Sequence, residues 1–295
     1  FRPEKMTVEA KLLDLAILSD LGSRLPLTTS QHKLLADLAP HGQLKDFSVQ
    51  WEGSYPEVRA YRLRGAFSGL GMQPQAARLA QPKTATQAAR AGAPAIPGFA
   101  NLDGQIDATE RGGKLSLASQ DVALQLPTLF ADAAMPFDKL NLQSHWEIQN
   151  NEILQFHIDS LDFAQDSAAG TLTGTHTLPL QGKSPSVIDL KAKLSRFDLQ
   201  KLSRYLPLHT AKPAVDWISG ALLDGQATDV DIVARGDLAD FPFRNVKPGS
   251  KTPGEFKVSG KFDKLKINYA PSHTGKDGKS PEWPLLEDVR GSITI

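Results

Sequence analysis

The sequence contains no cysteine among its 295 residues. This absence excludes disulfide bonds, thiol nucleophiles and thiolate metal sites from any account of the protein. A chain without unpaired thiols is consistent with an oxidising compartment such as the bacterial periplasm, where a free thiol is a liability.

The sequence also lacks an excess of charge of either sign and a long apolar run. Lysine and arginine together number 33, and aspartate and glutamate together also number 33. A balanced charge creates no field that would attract nucleic acid, so no nucleic-acid partner is expected. The richest apolar stretch, residues 12–21, contains Asp14 and Asp20. No run therefore reaches the roughly 18 apolar residues that are needed to span a bilayer.

The amino terminus does not have the features of a secretory signal peptide. Phe1-Arg2-Pro3 is not a charged start followed by an apolar run, so no cleaved leader is predicted. We therefore expect either a cytosolic protein or an internal part of a longer one.

Catalytic and metal-binding motifs are missing as well. The seven histidines, at positions 32, 41, 145, 157, 176, 209 and 273, do not have the spacing of metal ligands. Ser30-Gln31-His32-Lys33 matches an S-x-x-K motif, but the S-D-N and K-T-G motifs of penicillin-binding enzymes do not accompany it. A phosphate-binding loop, a dinucleotide fingerprint and a G-x-S-x-G elbow are also absent. The sequence predicts no catalytic residue, no metal and no cofactor, and a protein that is not an enzyme.

What the sequence does contain is alternation of apolar and polar residues with a period of two. In the clearest segment Trp146 and Ile148 share one face, and His145 and Glu147 take the other. Such alternation is typical of an antiparallel sheet with one dry face and one wet face. His157 falls on the polar face of the next strand, where we interpret it and His145 as solvated residues.

Two short helices are expected to interrupt the strands, near residues 30–40 and 213–223. Apolar residues recur at helical spacing in both segments, and Pro213 suits the first turn of a helix. Residues 5–21 are interpreted as one or two strands. Residues 73–96 are rich in alanine, glutamine and proline without an apolar period, which predicts a long mobile loop or a weak surface helix.

The apolar face has two possible interpretations. It is either the closed core of a sandwich or barrel, which needs no ligand, or the lining of an open trough, because few helices are available to cover a long sheet. Extensive exposed apolar surface usually marks a binding site, and a trough of aliphatic and aromatic side chains suits acyl chains. The candidate lining residues are Val49, Trp51, Leu63, Phe67, Leu102, Ile106, Leu115, Leu117, Leu124, Leu142, Trp146, Ile148, Phe156, Ile158, Val230, Ile232, Phe256, Val258 and Ile267.

The helix near residues 213–223 has candidates of its own. Trp217, Ile218 and Leu222 are expected to face the trough. The helix either caps a core or forms a plug or gate over the trough, and the sequence does not decide between the two.

The chain repeats itself with a period of about 185 residues. Residues 24–53 and 205–236 both open on Leu-Pro-Leu and a later Thr, continue through a helical pattern, and end on G-Q-x-x-D-apolar-x-apolar-x-x-x-G. Repeats of this kind are structural units laid end to end. We predict a first β-groove repeat over residues 1–197 and the start of a second, truncated repeat over residues 198–295. The intact protein is expected to continue beyond both ends.

Four short motifs occur in order along the chain: Pro97-Gly98-Phe99, Tyr205-Leu206-Pro207, Phe241-Pro242-Phe243 and Trp283-Pro284-Leu285. Their ordered combination resembles the AsmA-like family of Gram-negative bacteria. The resemblance implies a mainly β fold, in which a long antiparallel meander with two short helical insertions curves into an open, U-shaped apolar groove.

The resemblance also implies a location and a function. AsmA-like proteins resemble bridge-like lipid transfer proteins, are anchored in the inner membrane and cross the periplasm, where they are associated with moving phospholipid to the outer membrane and maintaining its barrier. The implied partners are phospholipid, the two membranes through regions outside this sequence, and other envelope proteins. The alternative is a non-enzymatic periplasmic β-scaffold or interaction module with a closed core.

Overall fold

A computed structural model describes residues 5–22, 29–53, 58–77, 95–127, 129–132, 134–180, 185–208, 210–243, 254–275, 277 and 280–295. Most of these residues are in strands, which are β1 Lys5–Asp14, β2 His41–Glu52, β3 Ala60–Met72, β4 Gly98–Thr109, β5 Gly112–Gln125, β6 Ala134–Gln149, β7 Ile153–Ala164, β8 Ala168–Pro179, β9 Val187–Asp198, β10 Leu222–Asp237, β11 Glu255–Ile267 and β12 Leu286–Thr294. The helices are α1 Leu15–Leu21, α2 Thr29–Leu38 and α3 Lys212–Ala221, with two 3-10 helices, Leu199–Tyr205 and Leu238–Asp240.

The twelve strands form one antiparallel sheet in which every strand pairs with its neighbours in sequence. The sheet is not closed into a barrel, because within the described ranges β1 pairs only with β2 and β12 only with β11. The predicted long antiparallel meander is therefore confirmed, and the closed sandwich or barrel is not the architecture of this chain.

The helices match the prediction in two places and differ in a third. α2 and α3 lie where the two helical patterns predicted them. The strand interpretation of residues 5–21 is wrong for its second half, because α1 begins directly after Asp14. The Asp14 carboxylate accepts hydrogen bonds from the backbone amides of Ala16 and Ile17, at 3.0 and 3.2 Å. A side-chain cap of this kind satisfies free amides of the first turn and favours the start of a helix.

The predicted mobile loop near residues 73–96 falls mostly on residues 78–94, which lie outside the described part of the chain. Its two described ends are joined, since Gln75 and Ile96 form an isolated antiparallel bridge. The backbone amide of Gln73 also donates to the carbonyl oxygen of Leu38 at 2.8 Å. The end of α2 is thereby attached to the connection between β3 and β4.

The two copies of the repeat share unusual backbone conformations. Asp46 and Asp229 both adopt left-handed φ angles, 45° and 49°, and Gly42 and Gly225 have φ of 106° and 129°. Non-glycine residues rarely adopt a positive φ, although Asp and Asn do so more readily than others. In each copy a β-bulge interrupts the pairing with the next strand at this aspartate. The division of the chain at residues 197 and 198 stays a prediction, and the sheet itself continues from β9 into β10.

Candidate functional site

The register between strands places apolar side chains together on one face of the sheet. Residues directly opposite each other in an antiparallel pair point to the same side. One such row crosses eleven strands, from β1 to β11, through Leu13, Leu44, Phe67, Gly104, Leu117, Leu142, Leu161, Leu172, Ala192, Ile232 and Val258. We call this the central row. Every member is apolar, so the apolar surface is continuous along almost the whole sheet.

Two neighbouring rows widen this surface. The second row runs through Gly65, Ile106, Leu115, Ser144, Ile158, Gly174, Leu190, Ala234 and Phe256. The third row runs through Val8, Val49, Leu63, Ala108, Gly113, Trp146, Phe156, His176, Ile188 and Gly236. Together the three rows form the floor of an open trough.

Most of the predicted lining residues are members of these three rows. The others pair with apolar residues on neighbouring strands: Trp51 with Tyr61, Leu102 with Leu70, Leu124 with Phe99, Ile148 with Leu154, Val230 with Leu194, and Ile267 with Leu222 and Leu286. The structure thus brings the predicted residues onto a shared apolar surface. Their contact with lipid stays a prediction.

The predicted set of lining residues leaves out apolar residues that belong to the same surface. Leu44, Leu70, Phe99, Phe137, Leu140, Leu161 and Phe163 pack in the cluster that contains Phe67 and Leu117. A β-bulge adds a residue and so reverses the alternation beyond it. Ile158 and Leu161, for example, are three residues apart and yet share the face, because the register with β8 shifts between them.

The residues at these bulges adopt unusual backbone conformations. Asn101 and Asp121 adopt positive φ angles of 63° and 50°, as Asp46 does at the bulge in β2. Asp107 and Asp189 lie in strands without a positive φ angle, so an Asp or Asn in a strand does not by itself mark a reversal of phase. The phase reversal explains why Leu102 and Val122, one residue later, face the cluster.

The trough deepens into a pocket over β2 to β5. A cavity of about 350 Å³ lies there, with Leu63, Phe67, Leu102, Ile106 and Leu117 among its lining residues. Its volume falls in the range of about 300–1,000 Å³ that is usual for small-molecule sites. The pocket lacks the convergent polar groups that fix the orientation of a polar ligand, so its chemistry favours a hydrocarbon chain.

A glycine shapes the floor of this pocket. A Cβ atom on Gly104 would lie 2.2 Å from the carbonyl oxygen of Ser116 and 2.9 Å from the ring of Phe67. Real Cβ contacts are essentially never this short, and a backbone oxygen within a strand ladder cannot move aside. Gly104 therefore lets the Phe67 ring and β5 approach β4 closely.

The opposite face of the same sheet is polar. One row there runs through Glu9, Ser48, Arg64, Asp107, Lys114, His145, His157, Thr175, Asp189, Arg235 and Glu255. The Arg64 guanidinium lies 2.7 Å from the Asp107 carboxylate and, by hydrogen bonding to it, holds the pKa of that carboxyl below its usual value. The Arg64 and Asp107 side chains are 60% and 40% exposed, so this face is a solvated surface, on which each ion pair contributes only about 0–1 kcal/mol.

The two histidines assigned to the polar face are cross-strand partners. Their rings stack with centroids 4.4 Å apart and an interplanar angle of 4°, and His145 Nδ1 lies 2.8 Å from an Asp159 carboxylate oxygen. Among the described residues, no group of three or more His, Asp or Glu side chains could hold a metal ion. The polar-face position predicted for both histidines is confirmed.

A 3-10 helix covers the trough over β8 to β10. Leu199, Leu202 and Tyr205 of this helix pack against the buried side chains Ala168, Phe197, Ala227 and Val230. The helix begins at Asp198, whose carboxylate accepts a hydrogen bond from the amide of Gln200 at 3.0 Å, as Asp14 does for α1 in the first copy. Sequence reasoning missed this covering segment because it assigned that role to α3.

α3 lies next to this 3-10 helix. It packs against the 3-10 helix and β10, and its Trp217 side chain is 45% exposed. Ile218 is half-buried, and Leu222 is the first residue of β10, where it pairs with Ile267. Of the three residues predicted to face the trough, Trp217 and Ile218 thus lie in the second half of α3 and Leu222 at the start of β10. The cluster that packs directly on the floor is formed by the 3-10 helix.

One ionisable side chain lies within the three rows of the floor. His176 sits between Phe156 and Ile188 in the third row, and its Nε2 atom is 2.9 Å from the hydroxyl of Ser186. Partial burial lowers the pKa of His176 from its ordinary value, because the apolar surroundings disfavour the charged imidazolium. The neutral ring is therefore favoured in the trough.

The fold is an open antiparallel meander with one continuous apolar face and one ion-paired face. This class of β-trough protein is distinct from closed barrels and sandwiches. The whole chain, residues 1–295, matches the YhdP protein family. The protein belongs to this family of AsmA-like proteins. Comparisons with curated proteins and with solved structures gave no match. Within the described ranges, no helix is both long and apolar enough to cross a membrane.

Proposed function

We propose that the trough binds the acyl chains of phospholipids. The observation that carries this proposal is the central row, which is apolar from Leu13 in β1 to Val258 in β11. Among the described helices, α1 packs against β1 and β2, and none packs extensively against β3 to β6. The pocket over β2 to β5 supports the same conclusion, because its lining suits hydrocarbon.

The wider role rests on membership of the AsmA-like family. In this proposal the chain is a segment of a periplasmic protein that is anchored in the inner membrane by a region outside this sequence. The segment carries phospholipid towards the outer membrane and so supports outer-membrane biogenesis, lipid homeostasis and barrier function. Its partners are phospholipid, the two membranes and other envelope proteins, and nucleic acid is not among them.

The energetics explain why a continuous trough is useful. Each methylene group removed from water contributes about 0.8 kcal/mol, so exposing a 16-carbon chain costs roughly 12 kcal/mol. A gap in the apolar surface would restore this barrier to movement. Twelve strands spaced about 4.8 Å apart give an apolar path of about 50 Å, which is long enough to hold an extended acyl chain.

The hydroxyl groups buried in the trough support a function without catalysis. Ser119 and Ser144 have buried hydroxyl groups in the trough, and each hydroxyl is hydrogen-bonded to the backbone. Ser119 Oγ donates to the Asp103 carbonyl oxygen at 3.0 Å, and Ser144 Oγ donates to the Leu115 carbonyl oxygen at 3.1 Å. These hydroxyls stabilise the strands. We propose that the protein is not an enzyme and that transport requires no cofactor.

Native mass spectrometry of the protein purified from a bacterial membrane extract tests the proposal. We expect phospholipid to co-purify, and lipid-free protein to take up a labelled phospholipid from vesicles. A clean mass without lipid, together with no uptake of the label, would instead support a scaffold that contacts envelope proteins through its loops.

A further inference from the structure

One segment links the second copy of the repeat to strands that lie much earlier in the sheet. Residues 199–208, here called the strap, leave β9 and end beside the connection between β5 and β6. The backbone amide of Leu208 donates to the carbonyl oxygen of Leu129 at 2.9 Å, and Pro207 forms an isolated antiparallel bridge with Phe130. Since β7 and β8 separate β6 from β9, the strap passes the ends of two intervening strands, at the edge of the sheet that carries the β5–β6 and β7–β8 connections.

Two side chains hold the strap along this course. The Tyr205 hydroxyl lies 2.7 Å from the hydroxyl of Ser167, which is in the turn between β7 and β8 and is 1% exposed. The Arg204 guanidinium donates to the Asp132 carboxylate at 3.0 Å. The strap is therefore attached at the β5–β6 connection and at the β7–β8 turn.

The strap covers apolar side chains beside the floor, near the ends of β8, β9 and β10, but is itself shallow. Ala168 and Phe197 beneath it are 3% and 8% exposed, whereas no residue of the 3-10 helix is fully buried. Beyond the apolar packing of Leu199, Leu202 and Tyr205, its attachments are a few hydrogen bonds and one ion pair, without the continuous ladder that joins the strands. Segments with few buried contacts are those that open at low free-energy cost.

We propose that the strap is a movable cover, and that acyl chains enter the trough over β8 to β10 only when the strap lifts. This inference rests on the proposed function, since it regulates the same apolar surface. The trough over β2 to β6 is not covered by the strap and remains accessible in both states. The strap thus divides one continuous path into an open part and a gated part.

A disulfide can lock the cover without side reactions, because the chain has no cysteine. Phe130→Cys with Pro207→Cys places the two thiols on bridge partners. Opposed residues in an antiparallel pair have Cα atoms about 4.5–5.5 Å apart, which suits disulfide geometry. Reduction then releases the lock in the same molecule.

Photo-crosslinking detects lipid in the open part and in the gated part of the trough. A photoreactive benzoylphenylalanine is placed at Leu142 in the open part or at Leu194 under the strap, and lipid-free protein is mixed with phosphatidylethanolamine vesicles. We expect oxidation of the lock to leave crosslinking at Leu142 unchanged and to reduce it at Leu194 to background, with full recovery on reduction. Equal crosslinking at Leu194 in the oxidised and reduced protein would overturn the proposal.

A second variant tests the same inference without a covalent lock. Tyr205→Phe keeps the ring and removes the hydroxyl that bonds to Ser167, so we expect about fivefold more crosslinking at Leu194, as for the loss of one hydrogen bond. Unchanged crosslinking at Leu194 would contradict a movable cover.

If position 142 of the protein without the lock gives no crosslink, the proposed lipid binding itself fails. The cover is then tested by the rate at which iodoacetamide labels the cysteine in Ala227→Cys. Adding Tyr205→Phe should increase this rate if the strap moves. An unchanged rate would show that the strap is fixed.

Discussion

The two faces of the sheet carry matching ring pairs on adjacent positions of β6 and β7. Trp146 and Phe156 stack on the trough side, with centroids 6.5 Å apart and planes at 19°. His145 and His157 stack on the solvated side, at 4.4 Å and 4°. The backbone ladder that supports both pairs is the same. The difference between an apolar path and an ordinary wet surface therefore lies in side-chain chemistry alone.

The largest expected effect comes from placing charge on the trough side of this ladder. Trp146→Asp with Phe156→Arg puts two ionic groups into the third row of the trough floor, where an acyl chain would have to pass over them. We expect lipid binding to be lost, since contact of hydrocarbon with a hydrated charge costs far more than the contacts it replaces. Co-purified phospholipid, measured by native mass spectrometry, reports the result.

The matched control carries the same charges one residue away. His145→Asp with His157→Arg places them on the polar face, and we expect lipid content equal to that of the unmodified protein. Both variants must first show the same β-rich circular dichroism spectrum. Full lipid loading of a folded Trp146→Asp, Phe156→Arg variant would contradict the assignment of the trough.

A smaller effect is expected at the glycine that shapes the trough floor. Gly104→Ala forces a Cβ atom against the Ser116 carbonyl oxygen at 2.2 Å. We expect the free energy of unfolding to fall by about 1–3 kcal/mol, as for other overpacked sites. Chemical denaturation measures the change. Gly275→Ala is the control, because its nearest neighbours would be at 3.6 Å, and its effect should stay within about 0.5 kcal/mol. Equal stability of the two variants would show that β4 and β5 relax at this point.

The smallest effect is expected from the ionisable group in the trough. Burial lowers the pKa of His176, so in the unfolded chain this histidine binds a proton at a higher pH than in the folded chain. Stability linked to His176 is therefore complete above the unfolded pKa of about 6.5 and declines as the pH falls below it. We expect the Tm of the unmodified protein to decrease more between pH 7.5 and 5.5 than that of His176→Leu. An identical pH dependence of the Tm in the unmodified protein and in His176→Leu would exclude this role of His176.

Local patterns in the sequence predicted the sheet, two of the helices and the repeat. Alternation such as that around Trp146 depends only on which side chains face water, so it can be seen without knowing the partners of a strand. The α1 helix was missed because its short sequence also fits an apolar strand, and the decisive Asp14 cap is a single residue. The phase reversals at Asp46 and Asn101 were missed because a bulge depends on one local φ angle that alternation does not encode.

The strap shows a second limit of sequence reasoning. Its position depends on contacts between residues far apart in the chain, such as Arg204 with Asp132 and Tyr205 with Ser167. Helical periodicity drew attention to α3, whereas the 3-10 helix before it has too few residues for a clear pattern. A covering segment of this kind becomes visible only when the strand order is known.

The most direct test of a continuous apolar path is a comparison of neighbouring positions on opposite faces. A photoreactive benzoylphenylalanine at Leu142 or Leu172, both in the central row, should crosslink to phospholipid in cells. The same group at Gln143 or Thr173, one residue along each strand and on the polar face, should not. Crosslinking that is equal on the two faces, or absent from both central-row positions in the folded protein, would contradict the account of the trough as a lipid path.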